Sequence, residues 1–215
     1  MRGGRVSPVI LATRNPGKVR EIVAIYAPLE LELRPLADYP EIPQMREKGT
    51  TYADNAAAKA RAAALRVGLV ALADDSGIEV DALGGAPGVH SARFLGASAT
   101  DGERNARILF LLEGVPKERR SARYRAAVAV ARPDGTVRVF DGVCEGQVAV
   151  APRGTAGFGY DPIFMPEGAQ QTIAEIPLDV KNRISHRARA LRAAEPYLRE
   201  ILGLGKQERR AHDAK

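Results

Sequence analysis

The chain carries one cysteine, Cys144, and no tryptophan. A single thiol excludes an internal disulfide framework and any zinc site built from several thiolates. Cys144 lies in a strand-like run, where a thiol reads as a small buried hydrophobe rather than a nucleophile. Aromatic residues make up only 5% of the chain, a poor basis for a platform that stacks successive bases of a single strand. No apolar run reaches the length of a membrane span. The basic start, Met1-Arg2-Gly3-Gly4-Arg5, leads into a strand too short even for the core of a signal peptide, so the expected location is cytoplasmic. There is no Gly-x-Ser-x-Gly elbow, and Ser185 and His186 are adjacent, which argues against a serine-triad hydrolase. Internal repeats and low-complexity blocks are absent as well.

What remains is an ordinary globular composition. The 215 residues are 45% hydrophobic and 27% charged, enough for one substantial core or two small lobes around a cleft. Net charge is +6, which suits an anionic ligand, either a nucleotide or a nucleic acid. The basic clusters are modest. One gathers Lys117, Arg119, Arg120, Arg123 and Arg125, and another Lys181, Arg183, Arg187, Arg189 and Arg192.

Strands and helices alternate along the chain. Val9 to Ala12 reads as a strand, followed by a helix capped by Asn15 with Pro16 in its first turn and Val19, Ile22, Val23 and Tyr26 on its apolar face. A second strand is expected near Leu31 to Leu33, before a Pro-rich loop from Pro35 to Pro43. Thr51-x-x-Asp54 resembles a capping box opening an Ala-rich helix to about Val67. The run Leu69 to Ala73 reads as a buried strand ending at Asp74. Residues 84–94 look irregular, and Thr100-x-x-Glu103 caps a helix with Ile108, Leu111 and Leu112 inward. Residues 122–131 and 136–150 form a long hairpin about Asp134-Gly135. A final helix runs from Ser185 to about Leu202, with Pro196 as a predicted kink or break. The pattern is α/β: an elongated mixed central sheet flanked by helices, with two lobes around a cleft. A single domain over 1–204 is expected, with 205–215 a polar, aperiodic tail.

Five constellations carry chemistry, and most also have a bland explanation. Asp74-Asp75-Ser76-Gly77 places two carboxylates at a strand end, where open α/β sheets bind ligands, with Gly77 expected to turn the chain. Buried carboxylates need a cation, although a polar strand-to-turn junction has the same appearance. Thr13-Arg14-Asn15-Pro16-Gly17-Lys18 joins a strand to a helix N-terminus, an anion site of the helix-dipole kind but not a Walker A loop. It also reads as a well-capped helix with a solvated lysine. Glu47 could join Asp75 on Mg²⁺, which takes one or two protein carboxylates, or lie on a surface loop. In Gly157-Phe158-Gly159-Tyr160-Asp161-Pro162, Phe158 could stack on a flat ligand or simply be a core aromatic. Lys181 and Ser185-His186-Arg187 form a further basic group at a helix start.

Taken in order, these motifs resemble the inosine triphosphate pyrophosphatase family, the XTP/dITP diphosphatases, from about Val9 to Leu202. Thr13-x-Asn15-x-x-Lys18, Glu47-x-Gly49, Asn55-Ala56-x-x-Lys59-Ala60, Asp74 to Gly77, Leu83 to Gly88, Gly157 to Pro162 and Ser185 to Arg187 carry the likeness. The resemblance implies a homodimeric, Mg²⁺-dependent enzyme converting ITP, dITP and XTP to the monophosphate and pyrophosphate, with no stable nucleic-acid partner and no membrane. It implies Thr13, Arg14, Asn15, Pro16, Gly17 and Lys18 on the triphosphate, and Glu47 with Asp75 on metal. Asp75 is implied as general base, with Lys18 assisting catalysis. Ser76, Phe158, Gly159, Tyr160, Asp161, Lys181, His186 and Arg187 are implied at the substrate. Arg187 or His186 donating to a purine O6 would disfavour adenine, which presents a donor there. Two other readings stand beside this one: a pyrophosphatase for modified pyrimidine triphosphates, and a basic nucleic-acid-binding protein, which leaves the acidic residues unexplained.

Overall fold

The computed structural model describes residues 7–40, 42 and 49–204. The expected tail at 205–215 therefore lies outside the described residues. Six strands form one sheet in the order β2-β1-β3-β4-β5-β6. They are β1 (Val9–Leu11), β2 (Leu33–Pro35), β3 (Ala71–Val80), β4 (Ser121–Ala131), β5 (Val137–Val148) and β6 (Phe164–Pro166). β1 pairs in parallel with β2 and β3, and every later pairing is antiparallel. The helices are α1 (Pro16–Tyr26), α2 (Tyr52–Val67), α3 (Asp101–Leu111), α4 (Leu178–Ile184) and α5 (His186–Ile201).

Strand alternation explains how the sheet is covered on both faces. Val9, Leu11, Leu72, Val128 and Val130 pack under α1 and α5 with Ile22, Leu191 and Leu198. Their neighbours Ile10, Ala71, Ala73, Ala127 and Ala129 pack on α2 through Ala56, Ala60, Ala63 and Ala64. Alanine on both surfaces permits close approach of α2 to the sheet. A third cluster, including Ile78, Val80, Ile108, Tyr124, Cys144 and Phe164, fills the far half of the long strands. Cys144 is thus a buried core thiol, as its strand context indicated. None of the described helices is long and apolar enough to cross a membrane.

Several expected boundaries move. β3 does not end at Asp74 but continues to Val80, because β4 pairs with it without interruption, Asp74 opposite Val128 and Asp75 opposite Ala127. Gly77 is accordingly a strand residue, not a turn. A Cβ there would collide with the carbonyl of Gly88 and the hydroxyl of Ser91, so glycine is needed for close approach. β2 sits two residues later than expected and ends on Pro35, tolerated because β2 is an edge strand. Val23 and Leu111 face solvent rather than the core. Pro196 lies inside α5, which continues past it to Ile201. α4, missed in the sequence, delivers Lys181.

Candidate active site

Local chemistry places the first wall of the site. β1 ends at Leu11 beside Leu72, at the start of the much longer β3, so the β1–α1 loop opens against Asp74. Asn15 caps α1, its Oδ1 accepting from the backbone N–H of Gly17 at 2.9 Å and Lys18 at 3.1 Å. Those two N–H groups are therefore spent on the cap. The helix dipole, the Lys18 ammonium and the outer face of Asn15 are what an anion would meet. The opposite wall is the loop 157–161, and the floor is β3 with the start of α5. A cleft of about 420 Å³ lies between them.

Every predicted substrate residue lines this cleft except Thr13 and Arg14, and Asp75 lines it too. Thr13 Oγ1 instead accepts from the Asn15 N–H at 3.2 Å, shaping the turn. Arg14 reaches away, donating to the carbonyl of Ile42 at 2.7 Å. Glu47 lies outside the described residues.

The two aspartates have opposite surroundings, since successive strand residues face opposite sides of the sheet. Asp74 is met by α1 and α5: Arg187 Nε donates to Oδ2 at 3.1 Å, Ser76 Oγ donates to Oδ1 at 3.0 Å, and Lys18 forms a close ion pair. Burial pushes its carboxyl up, but Arg187 and Lys18 outweigh burial and hold it well below the usual carboxylate range. Asp75 is met by α2: Lys59 Nζ lies 2.8 Å from Oδ1, and Asn55 Nδ2 donates to Oδ2 at 3.1 Å. The i, i+4 spacing of Asn55 and Lys59 puts both on one helix face.

Behind the cleft runs a buried ionic chain that sequence reasoning did not find. Glu21 bridges Arg187 Nη1 at 2.5 Å and Lys181 Nζ at 2.7 Å, and Lys181 continues to Asp161. Burial raises the Glu21 carboxyl, and Arg187 and Lys181 bring it below its ordinary value. The available signal was its position three residues after Lys18, on the same face of α1. A guanidinium has five N–H donors, and Arg187 already makes four bonds to Asp74, Glu21 and Ser76. Its main work here is to join α1, β3 and α5. Gly142 in β5 makes that docking feasible, since a Cβ there would collide with the His186 carbonyl.

His186 stacks on Tyr124, with ring centroids 4.5 Å apart and planes inclined by 10°. Burial first, then Arg187, pushes its imidazole well below the ordinary 6.5, so it is neutral, and its Nδ1 is buried without a partner. Phe158 packs against the α1 start. A Cβ on Gly17 would fall 2.5 Å from the ring. Lys181 Nζ lies 4.9 Å and Arg187 Cζ 5.5 Å from the ring centroid, within cation–π range. Asp161 holds this loop, accepting from the Phe158 N–H at 2.9 Å, from Tyr124 at 3.3 Å and from Lys181.

Comparison with known proteins gives the family. The family model described as the Ham1 family matches residues 9–197. The chain belongs to the Ham1 family. A relative from Geobacillus kaustophilus, named dITP/XTP pyrophosphatase, is 47% identical over 195 residues, covering 91% of this chain and 96% of its own. Another of the same name, from Geobacter sulfurreducens, is 48% identical over 190 residues, covering 88% and 96%. The solved structure of a HAM1 protein from Coxiella burnetii superposes with a TM-score of 0.80 at 40% identity, covering 90% of this chain and 98% of that one. The Ham1 match, over residues 9–197, spans every cleft wall described above.

Among the described residues no group of three or more His, Cys, Asp or Glu side chains could hold a metal ion. A hard cation such as Mg²⁺ takes one or two protein carboxylates and completes its shell with water and phosphate. Asp75, a carboxylate on the cleft wall, suits such an ion.

Proposed function

We propose that the cleft hydrolyses deaminated purine nucleoside triphosphates, ITP, dITP and XTP, to the monophosphate and pyrophosphate. One observation carries this reading. A helix start with Lys18, the Asp75 carboxylate and an aromatic ring backed by two cations share one cleft, in a chain of the Ham1 family. The relatives' names supply the substrate class.

In this reading the triphosphate lies along Asn15, Gly17 and Lys18, and the base lies towards Phe158. Asp75 accepts a proton from the water that attacks the α-phosphorus. The bond from that phosphorus to the bridging oxygen breaks, and pyrophosphate leaves with the electron pair. Lys18 and the α1 dipole offset the charge that develops on the leaving group. Lys18 must leave Asp74 in part to do so, and Arg187 and Ser76 keep Asp74 satisfied when it does. Asn55 and Lys59 orient Asp75. Glu47 and Asp75 would hold Mg²⁺, which when bound supplies charge compensation at the phosphate oxygens. Neutral His186, or the remaining N–H of Arg187, donates to the purine O6 and sets adenine aside. The working unit is a homodimer, and the enzyme acts on free nucleotides rather than nucleic acid.

The decisive experiment is pyrophosphate release from ITP, XTP, GTP and ATP by purified protein, with Mg²⁺ and with EDTA. Metal-dependent release confined largely to ITP and XTP is the expected result. Equal release from all four would overturn the base selectivity, and release in EDTA would overturn the metal requirement.

A further inference from the structure

The loop that carries Phe158 is a thin wall. The cleft lies on one side of it, and a second cavity of about 760 Å³ lies on the other. Phe158, Gly159 and Asp101 line both cavities, so the loop has open space behind it as well as in front. What reaches it there is α3. Asp101 Oδ2 accepts from the Gly159 N–H at 2.7 Å, and Asn105 Nδ2 donates to the Gly159 carbonyl at 3.0 Å.

These two groups belong to the two peptide planes that flank Gly159. Holding both sets its backbone, which is left-handed at φ +65°. A Cβ at Gly159 would meet nothing, so the glycine serves conformation and not space. Asp101 and Asn105 are four residues apart and share one face of α3. The helix is itself anchored. Thr100 and Glu103 form a capping box, and Arg104 donates to the Phe94 carbonyl at 3.1 Å and to Asp101 at 3.1 Å. Asn105 is buried, and its Oδ1 has no partner. Burying that oxygen costs stability, which marks the side chain as kept for the bond its amide makes to Gly159.

We propose that Asp101 and Asn105 are positioning residues: they clamp both peptide groups of Gly159 and so hold the Phe158 ring against the cleft. The inference rests on the nucleotide reading above and extends it to α3, whose Asp101 lines the cleft edge and whose Asn105 lies outside it. Because a stacked ring reads every base alike, the clamp governs how tightly any purine triphosphate is held and leaves the chemical step alone.

The test measures KM and kcat for ITP in the wild-type protein, in Asp101→Ala, Asp101→Asn and Asn105→Ala, and in Phe158→Ala with and without Asp101→Ala. Asp101→Ala sits on an exposed helix start and covers the case in which Asn105→Ala fails to fold. Loss of the clamp raises KM about tenfold, within the range of a lost base–aromatic stack, and leaves kcat within about threefold. Asp101→Asn keeps an oxygen acceptor and restores KM. In the Phe158→Ala background, Asp101→Ala adds nothing. An unchanged KM in Asp101→Ala, or full additivity with Phe158→Ala, would overturn the clamp. Absence of ITP turnover in the wild-type protein would overturn the functional reading instead.

Discussion

Asp74 and Asp75 are neighbours in sequence and have different environments. Asp74 faces α1 and α5, is almost fully buried, and is bound by Lys18, Arg187 and Ser76. Asp75 faces α2, is bound by Lys59 and Asn55, and lines the cleft. A one-residue step along a strand turns a side chain to the opposite face of the sheet. Thus one aspartate becomes part of the framework and the other becomes available for chemistry. The network around Asp74 holds three elements in register so that Asp75 has fixed surroundings.

Four substitutions or conditions would break or sharpen that contrast. The largest effect is expected at Asp74→Asn, which leaves Arg187 and Lys18 with an uncompensated share of buried charge. Removing one partner of such a group costs about 3–5 kcal/mol of folding stability, measurable by urea denaturation. A small loss would show that Asp74 is no framework residue. Asp75→Asn should keep more stability than the Asp74 variant yet lose at least about 10²-fold in kcat, the lower end for a general base. Near-wild-type turnover would remove that role.

Gly142→Ala tests the framework from the other side by pushing the α5 start off the sheet. Overpacking of this kind costs about 1–3 kcal/mol, and KM for ITP should rise with it, since His186 and Arg187 move together. A variant as stable and active as the wild type would show that the close approach is dispensable.

The smallest effect concerns pH. Burial, then Arg187, with Lys181 and Lys18 adding and Asp74 opposing, holds His186 well below 6.5. The folded imidazole therefore stays neutral while the unfolded chain takes a proton as pH falls below that value. Stability from this source is complete above about pH 6.5 and is lost on acidification, at up to about 1.4 kcal/mol per pH unit. His186→Gln should flatten the fall of Tm between pH 7 and 5, and an identical slope in both proteins would contradict it.

Much of the local structure was legible in the residues. The Asn15 cap with Pro16, the Thr51 cap, the Thr100–Glu103 capping box and the Asp134-Gly135 hairpin all form where their chemistry indicates. Much of the cleft lining was legible too, because Asn15 to Lys18, Phe158 to Asp161 and His186 with Arg187 sit at helix starts or in a loop. The reading erred where a long-range partner overrules local appearance. Asp74-Asp75-Ser76-Gly77 looks like a strand end, but pairing with β4 carries the strand through it to Val80. Thr13 and Arg14 lie within the first motif, yet their side chains shape the loop and reach Ile42. Glu21 resembled any polar residue on an amphipathic helix until Arg187 and Lys181 were found against it.

By itself the sequence determined most of the order of elements, with α4 and β6 left out, the caps that start the helices and the candidate groups for phosphate and base. These depend on residues a few positions apart, whose geometry the backbone dictates. Tertiary structure alone decided which charges meet. Arg187 finds Asp74 across 113 residues and Glu21 across 166. No local period encodes such contacts. They form because the packed faces of α1, α5 and β3 bring the groups into a space too dry to leave any of them unpaired.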